Sequence, residues 1–185
     1  SMAISLLQEM LFGEGFLPLT FAKIKGEPFL VSPGIGKIEQ DEKGTPCEAS
    51  NFQSLIEASS DRLNRLDEEA LAQVIIMAML TNPEDGKPSN YALETIKSTG
   101  RSRIMGFDEE QAFVPAVSKA PETTFEKLNS VMVQMKSILF CMDAMTYHLP
   151  PGVKKTIFTW DEFKLIKTWI QTLERLDEKM QGLFK

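Results

Sequence analysis

The chain has 185 residues, 43% of them hydrophobic, and 20 Lys and Arg against 26 Asp and Glu, a formal net charge of −6. That apolar share supports one compact domain with a buried core and argues against a disordered chain. The acid excess gives no general electrostatic footprint for nucleic acid or an anionic membrane, although a local basic groove is compatible with an acidic total.

Two cysteines, Cys47 and Cys141, make neither a disulfide framework nor a metal-binding spacing, which fits a reducing compartment. The opening "SMAISLLQEMLFGEGF" lacks the basic start and cleavage site of a signal peptide, and no apolar run approaches the ~18 residues of a membrane span. The protein therefore reads as soluble and intracellular. Ser1 reads as a cloning remnant, and a chain opening straight into a helix suggests a piece of a longer protein.

"AISLLQEMLF" spaces Ile4, Leu7 and Leu11 as a helix, which Gly13 and Gly15 end. "FLPLTFAKI" and "EPFLVS", joined by Lys25 and Gly26, predict a hairpin. The acidic "EQDEKGTPCE" reads as an exposed loop. Ser50 and Gln53 offer a capping box for a helix carrying Phe52, Leu55, Ile56 and Leu63. Asp67 is a good N-cap for "EEALAQVIIMAMLT", apolar on most faces and so expected to be buried.

From residue 90 the period becomes two, and "NYALETIK", "STGR" and "SRIMGFD" predict a second hairpin with Asn90 at its start and Asp108 at its end. Thr123 and Glu126 form a capping box ahead of "FEKLNSVMVQMKSILFCM", read as a long helix whose methionines 132, 135, 142 and 145 are core. Pro150, Pro151 and Gly152 break the chain. Thr159 and Glu162 then cap a last helix, with Phe163, Ile166, Ile170, Leu173, Leu176, Met180 and Leu183 on one apolar stripe that must pack on something. Trp160 and Trp169 are expected to anchor that helix. His148, the single histidine, reads as a structural or surface residue, and without other His or Cys nearby no transition-metal site can be built.

Residues 85 to 90 spell Asp-Gly-Lys-Pro-Ser-Asn. Such a string is good turn chemistry in its own right. In order and spacing it also resembles the catalytic loop of protein kinases, Asp-x-Lys-Pro-x-Asn. Phosphoryl transfer needs a carboxylate for the acceptor hydroxyl's proton, a cation near the moving phosphoryl oxygens, and oxygen ligands for magnesium. The resemblance implies Asp85 as base, Lys87 as charge stabiliser, and Asn90 and Asp108 as the residues holding Mg2+ and, through it, ATP. It is closest to atypical kinase-like domains, the relatives of lipid kinases and of bacterial effector and toxin kinases. It covers residues 3 to 145 in element order, and in motif letters 85 to 90 and 104 to 108.

The implied fold is α+β and mostly helical, a partial kinase-like fold forming one domain over residues 1–185. Residues 3–33 would be a residual N-lobe helix and hairpin, 34–48 hinge and loop, and 49–185 a helical C-lobe with the catalytic hairpin. The chain departs from the family where Pro83-Glu84 stand in place of His-Arg and Glu109 follows Asp108. "FAKIK" and "PGIGK" follow the first helix, in the wrong order to be a phosphate-clamping lysine or glycine-rich loop, so this chain alone is expected to hold ATP phosphates weakly. Glu109 and Glu110 read as a solvated acidic turn. The alternative is a catalytically inactive pseudokinase or helical module that binds a protein partner. Location is expected to be cytoplasmic, in a host cell if the chain is an effector.

Overall fold

The structure, a computed structural model, describes residues 2–13, 20–31, 47–57, 61–96, 100–106, 112–115, 117–119, 131–133 and 136–184. It is α+β, with more of the described chain in helix than in strand. Among the described residues no helix is long and apolar enough to cross a membrane.

Helix α1 spans Met2–Phe12 and ends at Gly13, whose φ of 80° places it in the left-handed region that closes a helix. The first hairpin follows as expected, β1 at Thr20–Ile24 against β2 at Glu27–Val31. Lys25 and Gly26 both take positive φ (53° and 91°), the turn whose twist matches that of a two-residue hairpin.

The next segment departs from expectation. Cys47–Asn51 is a strand, β3, so neither the loop through Glu48 nor a cap at Ser50 stands: Ser50 lies in the strand, opposite Leu93. Its partner strand is more than forty residues away, and "CEASN" alternates only through the small Cys47 and Ala49, with no β-branched or aromatic side chain to announce a strand. Helix α2, Phe52–Glu57, starts directly behind, and Leu63 belongs instead to a 3-10 turn, Asp61–Arg65. The remainder of the acidic loop lies outside the described residues.

Helix α3, Glu68–Thr81, begins as the sequence dictates. The Asp67 carboxylate accepts the Ala70 backbone N–H at 3.0 Å, and Glu68 and Glu69 favour the positive end of the helix dipole. At the other end Asn82 (φ 37°) returns its N–H to the Ala78 carbonyl and turns the chain out of the helix. The second hairpin forms with β4 at Tyr91–Ile96 and β5 at Ser102–Gly106, and β3 joins it to make a three-stranded antiparallel sheet, β3-β4-β5. Phe52, Leu71, Val74, Ile75, Tyr91, Leu93, Ile104 and Leu139 form the core between α3 and this sheet.

The long methionine helix does not form over its described part. Val131–Val133 is a strand, β7, paired with β6 at Val117–Lys119, and Ile138–Cys141 and Asp143–Thr146 are short 3-10 turns. The β-branched pair flanking Met132 suits a strand. Met132 lies in β7, Met142 is half-buried against the core and Met145 is exposed, so these three share no helical face; Met135 lies outside the described residues. The Thr123 and Glu126 box lies outside the described residues. The prolines also do something unforeseen: Pro151 opens a helix, α4 at Pro151–Phe158, occupying the first-turn position where its missing N–H costs nothing.

Helix α5, Glu162–Phe184, is capped by Asp161, which accepts the Lys164 N–H at 3.0 Å; Thr159 instead closes α4 through its hydroxyl to the Thr156 carbonyl. The tryptophans anchor it as expected, although Trp160 sits just before the helix. Their indole N–H groups donate to α1, Trp160 to the Leu11 carbonyl (3.1 Å) and Trp169 to the Ala3 carbonyl (2.9 Å). Ile4, Leu7, Leu11 and Met77 are the small core beneath them. The predicted stripe is not the face that packs on α1: Phe163, Ile166 and Ile170 are exposed and Leu173, Leu176 and Met180 half-buried, while Leu165 and Trp169, outside the stripe, pack inward.

Candidate functional site

The Asp85–Asn90 loop is where α3 delivers the chain. Asn82, in its left-handed turn, donates its side-chain amide to the Val114 carbonyl at 2.7 Å, and Pro83 behind it is buried. The loop then runs into a 3-10 turn, Pro88–Asn90, and from there into β4.

Asp85 and Lys87 form an ion pair with Nζ 2.5 Å from Oδ2, each side chain about half exposed. Asn90 is buried, and its side-chain nitrogen donates to the Asp85 backbone carbonyl at 2.5 Å. Three of the four expected site residues therefore meet within one hydrogen-bonded loop. Asp108 lies outside the described residues. The hairpin register sets Tyr91, directly after Asn90, opposite Gly106, two residues before Asp108.

A second segment, unsuspected from the sequence, holds the loop from behind. Gly86 donates its N–H to the Lys136 carbonyl (3.0 Å) and accepts the Ile138 N–H (2.8 Å), a parallel bridge centred on Ser137. Glu84 pairs with Lys136. Buried Tyr91 and Ser137 share a hydrogen bond between hydroxyls at 3.1 Å, and Ser137 Oγ also accepts the Leu139 N–H at 3.3 Å.

Gly86 is required by this crossing. A Cβ there would lie 2.5 Å from the Lys136 carbonyl oxygen and 2.6 Å from the Ser137 Cα, both backbone atoms that cannot swing aside. Gly86→Ala is thus expected to cost about 1–3 kcal/mol, the usual range for overpacking. Chemical denaturation measures this, and a cost near zero would mean that the crossing is loose.

One further charged pair lies on the sheet. Glu94 is wholly buried on the face of β4 opposite the Tyr91 and Leu93 core face, with Arg103 Nε 2.5 Å from Oε2 and no hydrogen-bond partner for Oε1. The period-two alternation of "NYALETIK" puts Glu94 on that face, but nothing in the sequence says that the face is buried.

Other expectations fall away from the site. His148 is exposed, as read. Lys23 is exposed on β1 and Lys25 sits in its turn, which agrees with strand and turn roles; "PGIGK", Glu109 and Glu110 lie outside the described residues. A cleft of about 730 Å³ opens at the far end of the β4–β5 hairpin, lined by Arg65, Asp67, Glu69, Gly100, Arg101 and Pro150. Among the described residues no three His, Cys, Asp or Glu side chains gather as a metal cluster. Donors for a hard cation at the loop are the Asn90 amide oxygen and the Asp85 carboxylate, hard oxygen ligands of the kind magnesium takes. Compared with protein-family models, curated proteins and solved structures, the chain matches none.

Proposed function

We propose that the chain is an atypical kinase-like phosphotransferase domain that uses Mg-ATP at the Asp85–Asn90 loop. The observation that carries this reading is the loop itself: Asp85, Lys87 and Asn90 are tied together by two 2.5 Å contacts, with the carboxylate and ammonium facing solvent. In this reading Asp85 orients the acceptor hydroxyl and takes its proton. Lys87, already beside that carboxylate, offsets the negative charge of the transferring phosphoryl group. With its nitrogen committed to the Asp85 carbonyl, Asn90 would turn its oxygen to magnesium, and Asp108 would supply the second ligand. Magnesium and ATP provide the phosphoryl donor and its charge neutralisation. The reading implies a cytoplasmic setting where ATP is present.

The test is a thermal shift of the whole chain with ATP, with magnesium and with both. A ligand that binds only the native state stabilises it by mass action, by about 2.7 kcal/mol at one hundred times its Kd. A rise in Tm that requires both components is expected. No rise, in a protein whose circular dichroism and cooperative melt show it folded, overturns nucleotide use at this loop.

A second reading, an inactive pseudokinase or helical module that binds protein, is favoured by a different observation, the exposed apolar face of α5.

A further inference from the structure

We propose that Asp85 is a site of spontaneous aspartate isomerisation, held in check in the folded chain by the crossing of residues 136–138. This stands independently of the nucleotide reading. Asp85-Gly86 is the one Asp-Gly or Asn-Gly step in the chain. Such a step closes on itself when the Gly86 amide nitrogen attacks the Asp85 Cγ. A C–N bond forms, a C–O bond breaks, and the carboxyl hydroxyl leaves as water with the amide proton. The five-membered succinimide then takes up water at either carbonyl, with no oxidant or reductant involved. Opening at one carbonyl restores aspartate. Opening at the other leaves isoaspartate, whose main chain runs through the former side chain and is one methylene longer. Gly86 places no side chain in the way of ring closure, and the Asp85 side chain is 52% exposed, open to the water that hydrolysis needs.

The folded loop opposes this reaction at the bond concerned. The Asp85–Gly86 peptide is committed at both ends: its carbonyl accepts the Asn90 amide at 2.5 Å, and its N–H donates to the Lys136 carbonyl at 3.0 Å. The next peptide is held as well, because the Gly86 carbonyl accepts the Ile138 N–H at 2.8 Å. The nitrogen therefore cannot swing onto Cγ while the crossing is closed. Behind it, the buried hydroxyls of Tyr91 and Ser137 tie the two segments together at 3.1 Å. Conversion proceeds only from molecules in which the crossing has opened locally, so its rate follows that open fraction. It is also self-sustaining: the added methylene moves Gly86 out of register with Lys136 and Ile138, and a converted loop cannot re-form the crossing.

The test is incubation of the full chain in neutral buffer, native and unfolded in guanidinium chloride. Isoaspartate at residue 85 is followed by peptide mapping and confirmed by enzymatic methylation of its carboxyl. The unfolded chain is expected to form it, and the native chain to form it about tenfold more slowly or less. Tyr91→Phe keeps the ring in the core and removes one hydroxyl of the link, so with a cooperative melt it should convert about fivefold faster than the unaltered native chain. Hydrogen exchange at the Gly86 amide should speed up by the same factor, a readout that serves even where native conversion is too slow to follow. An unfolded chain without isoaspartate at residue 85 overturns the site. A native chain that keeps pace with the unfolded one overturns the protection. Gly86 exchange that Tyr91→Phe leaves unchanged takes the protection away from the crossing and overturns the proposal too.

Discussion

Arg103→Met is expected to destabilise the fold by about 3–5 kcal/mol, the usual consequence of removing one partner from a buried ion pair. The Glu94 side chain is 1% exposed, and one of its two carboxylate oxygens already has no hydrogen-bond partner. Arg103 supplies what compensation the other oxygen has, through Nε at 2.5 Å. Because Arg103 is itself a third exposed, water can replace part of its contribution, which places the expectation toward the lower end. Urea unfolding followed by tryptophan fluorescence measures the loss. The pair differs from either member alone: Glu94→Leu together with Arg103→Met removes the charge as well as its partner and should recover most of the stability, since apolar replacements of a buried pair are often neutral. A single variant within about 0.5 kcal/mol of the unaltered chain, the range of ordinary surface substitutions, would show that Glu94 is not electrostatically dependent on Arg103.

Asp85→Asn should act in the opposite manner, on turnover and hardly on stability. If Asp85 takes the acceptor's proton, its isosteric amide should lower the rate by about 10²–10⁴. Consumption of ATP with magnesium, with water or the chain itself as acceptor, gives the readout before any natural acceptor is identified. Stability should barely move, because the carboxylate is half exposed and its pair with Lys87 is a surface pair, worth about 1 kcal/mol at most. The Asn90 tie to residue 85 runs through the backbone carbonyl and survives the substitution. Unchanged turnover with an intact melt would remove the base role from Asp85.

Which parts of this molecule could be read from the chain follows from how far each structural cause lies along it. The Asp67 cap, the Lys25-Gly26 turn and the β4–β5 hairpin are set by neighbours within a few residues, and all three were legible. Strand β3 was not, because "CEASN" owes its conformation to β4 and carries only a weak alternation of small residues, with no β-branched or aromatic side chain. The same holds for 131–133, where a strand partner outweighs a spacing that suits a helix. At the loop, the side chains were visible as a string of letters. Glu84, Gly86 and Ser137 acquire their roles only through a contact between distant segments. An asparagine after the apolar run "VIIMAML" signals a helix end, and a glycine between two charged residues hints at close backbone approach; these were the signals available for Asn82 and Gly86.

The Gly86–Ser137 crossing also bears on when the loop acquires its shape as the protein folds. The links that hold it span 46 residues from Tyr91 to Ser137 and 52 from Glu84 to Lys136. Closing loops of that length costs entropy before any contact returns it, so such pairings form late, after α3 and the β4–β5 hairpin have condensed. During synthesis the ribosome releases the Asp-Gly-Lys-Pro-Ser-Asn string well before the residues that brace it. The nascent chain would therefore carry the site's chemistry in an unshaped form, and acquire its geometry only once residues 136–138 have docked.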